Sequence, residues 1–275
     1  MQLYHEIAIG SPRNRGLLIP ESQIIDILLK HGKKEAVYKS LYLYDEEGKE
    51  YHKIKRTFKD FLGKRYIKNV LIDIDKSQNT DDYTLNKTRS VLFELSELGV
   101  QSHSYNVYFS GTGYHITITN EVFNFPKGHA DLPFIVKETI NNLLSDVDLS
   151  VLNKTAIYRC AYSFNQKSCL YKIPLTLDQV NNKKAEEIIE LAVNLNNVKT
   201  YTRQSVWGDG ELEDKVIKDV PKIKLQESSV EPKNIVPCVQ KMYNLGPQEG
   251  SRNNTLMRIA SHFNRHGIPS QATKA

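Results

Sequence analysis

Asp73 and Asp75 stand two apart in VLIDIDKS (residues 70–77), among Val70, Leu71, Ile72 and Ile74. The apolar residues read as a buried strand. Side chains at i and i+2 of a strand share a face, so the two carboxylates project side by side. Like charges that close repel, and burying them unpaired costs several kcal/mol each. Something positive should lie between them. Hard oxygen ligands at this spacing suit a divalent cation, Mg2+ or Mn2+, that bridges substrate phosphates. A DxD pair can also be strand-end carboxylates engaged in turns or surface ion pairs.

Two further stretches argue for the chemical reading. YFSGTGYHITI (108–118) sets Ser110, two glycines and His115 around a turn between strands. Glycine lets backbone N–H groups approach an anion closely, and both Ser110 and His115 can donate to phosphate oxygens. SDVDLSVLNKTAIYRCAYSFNQKSCLYKIPLT (145–176) supplies Asp146 and Asp148, then Arg159, Ser163, Asn165, Lys167 and Lys172. A third carboxylate would complete a two-metal clamp, and the cations would neutralise a triphosphate. Lys167 and Lys172 also read as an exposed hairpin tip.

The elements that must position these groups form an α/β pattern. ESQIIDILLKHG has helical spacing with Gly32 as its stop. AVYKSLYLYDEEGKE reads as a strand ending in a turn, and NVLIDID as the next strand. YTLNKTRSVLFELSELGV aligns Leu85, Val91, Leu92, Leu95 and Leu98 on one helical stripe closed by Gly99. YNVYFS and YHITITN are strands joined by a tight turn. DLPFIVKETINNLLSDVD is a second amphipathic helix ending near Asp146. AIYRCAYSF and CLYKIPLT are two strands, followed by a helix capped near Thr176 or Asp178. Strand, helix, strand, turn and strand make an α/β core with a crossover. Residues 200–232 are polar and irregular and read as a linker. Residues 233–275 form a short helical module, and the chain stops in IPSQATKA as though inside a longer protein.

Composition narrows the classes. The chain has 275 residues, 40% hydrophobic and 25% charged, with net charge +5. That suits a globular chain able to bury a core, with no apolar run near the roughly 20 residues of a membrane span. The N-terminus lacks a signal peptide's apolar core, and three cysteines argue for a reducing, cytoplasmic compartment rather than a disulfide framework. The charge permits a nucleic-acid partner without requiring one. It is concentrated in YHKIKRTFKDFLGKRYIK (51–68), where Asp60 is the one acid. That segment is either a solvated helix face or a phosphate-binding flank with Lys53, Lys55 and Arg56.

The order DxD, then SGxGyH, then Asp ahead of an R…S-x-N-x-K hairpin resembles the archaeo-eukaryotic primase superfamily, the primases and primase-polymerases. The resemblance runs over about residues 38–176, with Asp73-Ile74-Asp75, Ser110 to His115, Asp148, and Arg159 to Lys167 as its motifs. The spacing to Arg159 favours Asp148 over Asp146. Where the family has a histidine in the third segment, this chain has Asn165, and the second motif is longer than a strict S-x-H, which leaves Ser110 and Thr112 competing. VPCVQKMYNLGPQEGSRNNTLMRIASHF resembles the small helical domain that often follows the catalytic domain in viral and plasmid primases, through Gly250, Arg252 and Asn253. Cys238, His262 and His266 invite a zinc reading, but no fourth ligand is evident.

The resemblance implies an RRM-like catalytic core with a second α/β unit over 1–199, then the linker and the helical domain. It implies primer synthesis on a single-stranded DNA template from NTP or dNTP, with two Mg2+ or Mn2+ ions held by Asp73, Asp75 and Asp148. Ser110, His115, Arg159, Ser163, Asn165, Lys167 and Lys172 would bind the nucleotide, and Lys53, Lys55, Arg56 and Arg252 the DNA. A replicative helicase is an implied partner, and a virus or mobile element in a host cytoplasm an implied setting. A metal-dependent nuclease could use the same carboxylates without a triphosphate pocket. A non-catalytic RRM-like binding module would stack bases on sheet-face aromatics, whereas this chain puts carboxylates on its central strand. A glycosyltransferase is the most distant reading.

Overall fold

The computed structural model describes residues 1–76, 79–145 and 147–195. The expected linker and helical module lie outside the described residues, as do Asp146, Cys238, Gly250, Arg252, Asn253, His262 and His266. The chain begins β1 (Tyr4–Ile9), β2 (Leu17–Pro20), α1 (Ile24–Ile27), β3 (Val37–Ser40), α2 (Glu46–Lys55) and β4 (Asn69–Asp75). It continues α3 (Asp81–Glu97), β5 (Tyr105–Phe109), β6 (Gly113–Thr119), α4 (Asn120–Phe123), α5 (Leu132–Leu143) and β7 (Ile157–Arg159). It closes with β8 (Phe164–Asn165), β9 (Leu170–Tyr171), β10 (Ile173–Leu175), α6 (Leu177–Asn182) and α7 (Ala185–Val193). Among the described residues the strands form two four-stranded sheets, ordered β2-β1-β3-β7 and β10-β5-β6-β4, and a hairpin of β8 with β9. The fold is thus mixed α and β with antiparallel sheets.

Alternation along the second sheet separates two environments. Val70, Ile72 and Ile74 of β4, with Ile116 and Ile118 of β6 and Val107 and Phe109 of β5, are buried in one core cluster. Leu85, Val91, Leu92 and Leu95 of α3 belong to the same cluster. Each such aliphatic side chain contributes about 1.5–3 kcal/mol by leaving water. The helix forms where its stripe was read. The Thr80 hydroxyl accepts from the Tyr83 N–H at its start, and Gly99, at φ 80, follows its end.

The other face of this sheet carries its polar groups, with Leu71 buried among them. The register sets Asp73 opposite His115, and His115 opposite Tyr108. Directly paired residues share a face, so Asp73, His115 and Tyr108 form a row across three strands. Asp75 extends it opposite Gly113. β4 and β5 both pair antiparallel with β6, so they run parallel to each other with α3 as the crossover between them.

Several expectations change. β4 is an edge strand of its sheet, not a central one, and its outer side carries an isolated bridge from Asp73 to Asp148. DEEGKE starts a helix instead of a turn. The Asp45 carboxylate accepts from the Gly48 N–H, and Glu46 and Glu47 sit in the first turn, where the helix dipole favours acids. The helix over 132–143 ends before the acidic pair. The two strands read after Ala156 are four short ones. β7 joins the first sheet and β10 the second, because the chain turns through positive φ at Tyr162 and again at Cys169. The cap of α6 is Thr176, which forms a reciprocal capping box with Gln179.

Candidate functional site

The site lies where the polar face of the second sheet meets β7 of the first. Asp73 is its centre. Its strand is flanked by His115 on β6 and by Asp148 through the backbone bridge. Residues bridged in this way point to the same side, so Asp73, Asp75 and Asp148 are drawn to one face. Burial is the largest influence on the Asp73 carboxyl, which is pushed up to about 7; Asp75 and Asp148 add to this and Lys172 opposes it. Asp73 Oδ1 is buried with no hydrogen-bond partner. Asp75 and Asp148 are exposed.

An unpaired buried carboxylate oxygen beside two further carboxylates fits a divalent cation, because a cation would relieve both the lost hydration and the repulsion. The cage is not fully drawn together. Among the described residues no three His, Cys, Asp or Glu side chains are grouped as a metal site. The Asp148 carboxylate accepts from the Ser150 N–H at 2.7 Å and from the Ser150 hydroxyl at 2.9 Å.

Opposite the carboxylates stands a buried basic cluster. Lys172 is 1% exposed. Its Nζ lies 2.8 Å from His115 Nδ1 and donates to the Arg159 carbonyl at 2.7 Å. It also stands 4.8 Å from the Tyr108 ring centre and 5.2 Å from that of Tyr158. Burial brings the Lys172 ammonium down to about 7, with Arg159 and Lys39 adding and Cys160 and Asp73 opposing. His115 is held well below its usual value by burial, then by Lys172 and Arg159, so the ring is neutral. Its Nε2 comes within 3.4 Å of Asp73 Oδ1, without hydrogen-bond geometry.

Arg159 ties the two sheets together. One guanidinium nitrogen donates to the Ser110 carbonyl at 2.6 Å and the other to the Tyr38 hydroxyl at 3.3 Å. Its Nε is buried without a partner. Ser110 closes the SGTG turn: its N–H donates to the Gly113 carbonyl, and its hydroxyl accepts from the Gly113 N–H at 3.1 Å.

The two glycines of that turn serve packing. A Cβ on Gly113 would lie 2.4 Å from the Ile74 carbonyl, and one on Gly111 would lie 2.8 Å from Ser168 Oγ. Gly111 also has φ 95. The SGTG turn therefore rests directly on the turn that carries Asn165, Lys167 and Ser168.

The expected residues divide by environment. Asp73, Asp75, Asp148, Ser110, His115, Arg159 and Lys172 converge around the sheet face. Lys167 is exposed at the hairpin tip, near the SGTG turn through its own loop. Ser163 does not face the site: it is fully buried, and its hydroxyl donates to the Cys160 carbonyl at 2.8 Å. Asn165 is buried and holds the turn, with its side-chain oxygen accepting from the Lys167 N–H. Lys172 is the most buried cation of the cluster, not an exposed tip residue. Lys53 and Lys55 are exposed on α2, where Lys53 lies 3.7 Å from Glu50, and Arg56 caps the helix at φ 55.

Sequence reasoning missed Lys39. It is 7% exposed, and its ammonium lies 5.5 Å from the same Tyr158 ring that Lys172 faces. The signal was present: a lysine inside the strand run VYKSLYLY is as out of place as the aspartates of VLIDID. Ser168, whose buried hydroxyl has no partner, is a second omission. Among the described residues no helix is long and apolar enough to cross a membrane. No protein-family model matches the chain and no curated protein matches it, so the functional reading rests on the residues themselves.

Proposed function

We propose that the chain is a nucleotidyltransferase of the primase or primase-polymerase type, which joins nucleotides on a single-stranded DNA template. The observation that carries this reading is two buried polar atoms left without partners on either side of the His115–Lys172 contact. Asp73 Oδ1 lacks a partner on the acidic side and Arg159 Nε lacks one on the basic side. A ligand offering a cation to the first and anionic oxygens to the second satisfies both, and a metal-bound nucleoside triphosphate has that composition. The mixed α and β architecture with two antiparallel sheets is compatible with the RRM-like core and second α/β unit that the resemblance implies.

Asp73, Asp75 and Asp148 would hold the divalent cations, Mg2+ or Mn2+. When bound, such ions supply charge neutralisation at the triphosphate and activation of the attacking 3′-hydroxyl. The chain's own groups do the rest. Arg159 fixes the SGTG turn through the Ser110 carbonyl and would offer its unpartnered Nε to a phosphate oxygen. His115, neutral, offers a donor beside Asp73. Ser168 and Lys167 supply a hydroxyl and an ammonium from the neighbouring turn. Catalysis of this kind is mostly positioning and charge neutralisation. Lys53, Lys55 and Arg56 offer exposed positive charge for template DNA.

The test is incubation with single-stranded DNA, Mn2+ or Mg2+ and labelled nucleotides, with and without a primer. Asp73→Ala is expected to abolish labelled product while leaving DNA binding near the wild-type level. Retained synthesis in that variant would remove Asp73 from the chemistry. Strand cleavage without incorporation would transfer the site to a nuclease, and metal-independent DNA binding without turnover to a binding module.

A further inference from the structure

We infer that Lys172 is a positioning residue that fixes His115 as the Nε2–H tautomer and thereby aims a hydrogen-bond donor at the Asp73 edge of the site. The inference rests on the nucleotidyl-transfer reading only for the identity of the acceptor, a phosphate oxygen of the incoming nucleotide.

The geometry leaves few choices. Lys172 Nζ meets a carbonyl oxygen of Arg159 at 2.7 Å, which can only accept. It faces the rings of Tyr108 and Tyr158, whose negative faces favour an ammonium over a neutral amine. An ammonium has three N–H donors and no lone pair. While Lys172 holds its third proton, below about pH 7, its 2.8 Å contact with His115 Nδ1 requires that Nδ1 accept. A neutral imidazole that accepts at Nδ1 carries its proton on Nε2. That nitrogen stands 3.4 Å from Asp73 Oδ1, close enough to be oriented by the carboxylate but not bonded to it. The Nε2–H is thus directed into the site with capacity to spare.

A lysine this buried needs a reason. Well-packed apolar residues at such a position are often neutral or stabilising. Leu170, Tyr171 and Ile173 around it would accept an apolar neighbour, since all of them pack in or against the main core cluster. The charge is therefore explained by what it orients. Because His115 sits in the middle of the row Asp73, His115 and Tyr108, a flipped tautomer would present a lone pair to the Asp73 carboxylate and to any phosphate. Both would be repelled.

The experiment uses the full chain labelled with 15N-histidine, with His115 assigned by loss of its signal in His115→Gln. Long-range 1H–15N spectra read the tautomer directly, without activity. At about pH 6, where Lys172 is an ammonium, the wild type is expected to show the Nε2–H form for His115. Lys172→Met, close in length and apolar, is expected to remain folded by circular dichroism and to lose that single form. Nucleotide affinity, measured with ATP and dATP in Mn2+, is expected to fall on the order of tenfold in Lys172→Met, the loss of roughly 1.4 kcal/mol. An Nδ1–H tautomer in the wild type overturns the inference. So does an unchanged tautomer in folded Lys172→Met. Should Lys172→Met fail to fold, Tyr108→Phe together with Tyr158→Phe keeps both ring faces, and its His115 must stay Nε2–H; any other form overturns the inference. A tautomer that responds as expected in a protein that incorporates no nucleotide upholds the positioning role and removes only the nucleotidyl-transfer reading.

Discussion

Asp73 and Asp148 face each other across an isolated antiparallel bridge on the outer side of β4, although three helices (α3, α4 and α5) and two strands (β5 and β6) separate them in the chain. The bridge brings a third carboxylate beside the DxD pair without placing it on any regular strand. It is possible because β4 is an edge strand, with β6 on one side only. Unpaired edge N–H and C=O groups accept such a partner readily.

Asp73 holds a stability cost that its removal should reveal. Its carboxyl titrates at about 7 in the folded chain, against 3.8 as the ordinary value. The folded state therefore keeps a proton that the unfolded state has lost. Stability from this group is intact below about pH 3.8, declines as pH rises, and is gone above about 7. Asp73→Asn is expected to be more stable than the wild type at pH 8 by about 2–4 kcal/mol, from roughly 1.4 kcal/mol per unit. The two should converge toward pH 4. Urea denaturation at both pH values checks this, and a variant less stable at pH 8 would contradict it.

Divalent cation should offset the same cost. Mn2+ at about a hundredfold above its dissociation constant is expected to stabilise the chain by about 2.7 kcal/mol. Thermal melts with and without Mn2+ read the shift. It should disappear in Asp73→Asn and shrink in Asp148→Asn, while a shift of the same size in Asp73→Asn would place the ion elsewhere.

Arg159 joins β7 to the SGTG turn through the Ser110 carbonyl. Arg159→Gln is expected to lose a charged hydrogen bond worth about 1.5–3 kcal/mol. Nucleotide KM should rise, and amide exchange should quicken at Gly111 and Gly113. Tyr38→Phe removes only the 3.3 Å contact and should cost under about 1 kcal/mol. Equal effects of the two variants would show that the turn is held by something else.

Gly111 separates backbone strain from contact. Its φ of 95 is unsuited to an L side chain, and its Cβ would meet Ser168 Oγ at 2.8 Å and Asn165 Nδ2 at 3.1 Å. Gly111→Ala is expected to destabilise by about 1–3 kcal/mol. Adding Ser168→Ala should restore only a minor part, because the conformational cost remains. Full rescue in the double variant would assign the whole effect to contact.

Local pattern in the sequence determined much of this protein. The stripe of α3, the cap near Thr176 or Asp178, the strands around the SGTG turn and the shared face of Asp73 and Asp75 follow from periodicities of 3.6 and 2 and from capping chemistry. Those rules act over a few residues, so a short stretch of sequence carries them. The tertiary structure decided what distance in the chain conceals. It placed Asp148 against Asp73, sent β7 and β10 to different sheets, buried Lys172 against His115, and turned Ser163 inward onto Cys160. It also drew Lys39 to the Tyr158 ring shared with Lys172. Such pairings depend on how sheets order and pack, and side chains far apart in sequence acquire their burial and partners only then. A lysine in a strand and a lysine at a hairpin look alike in sequence. Their chemistry diverged once the two sheets closed around Lys172.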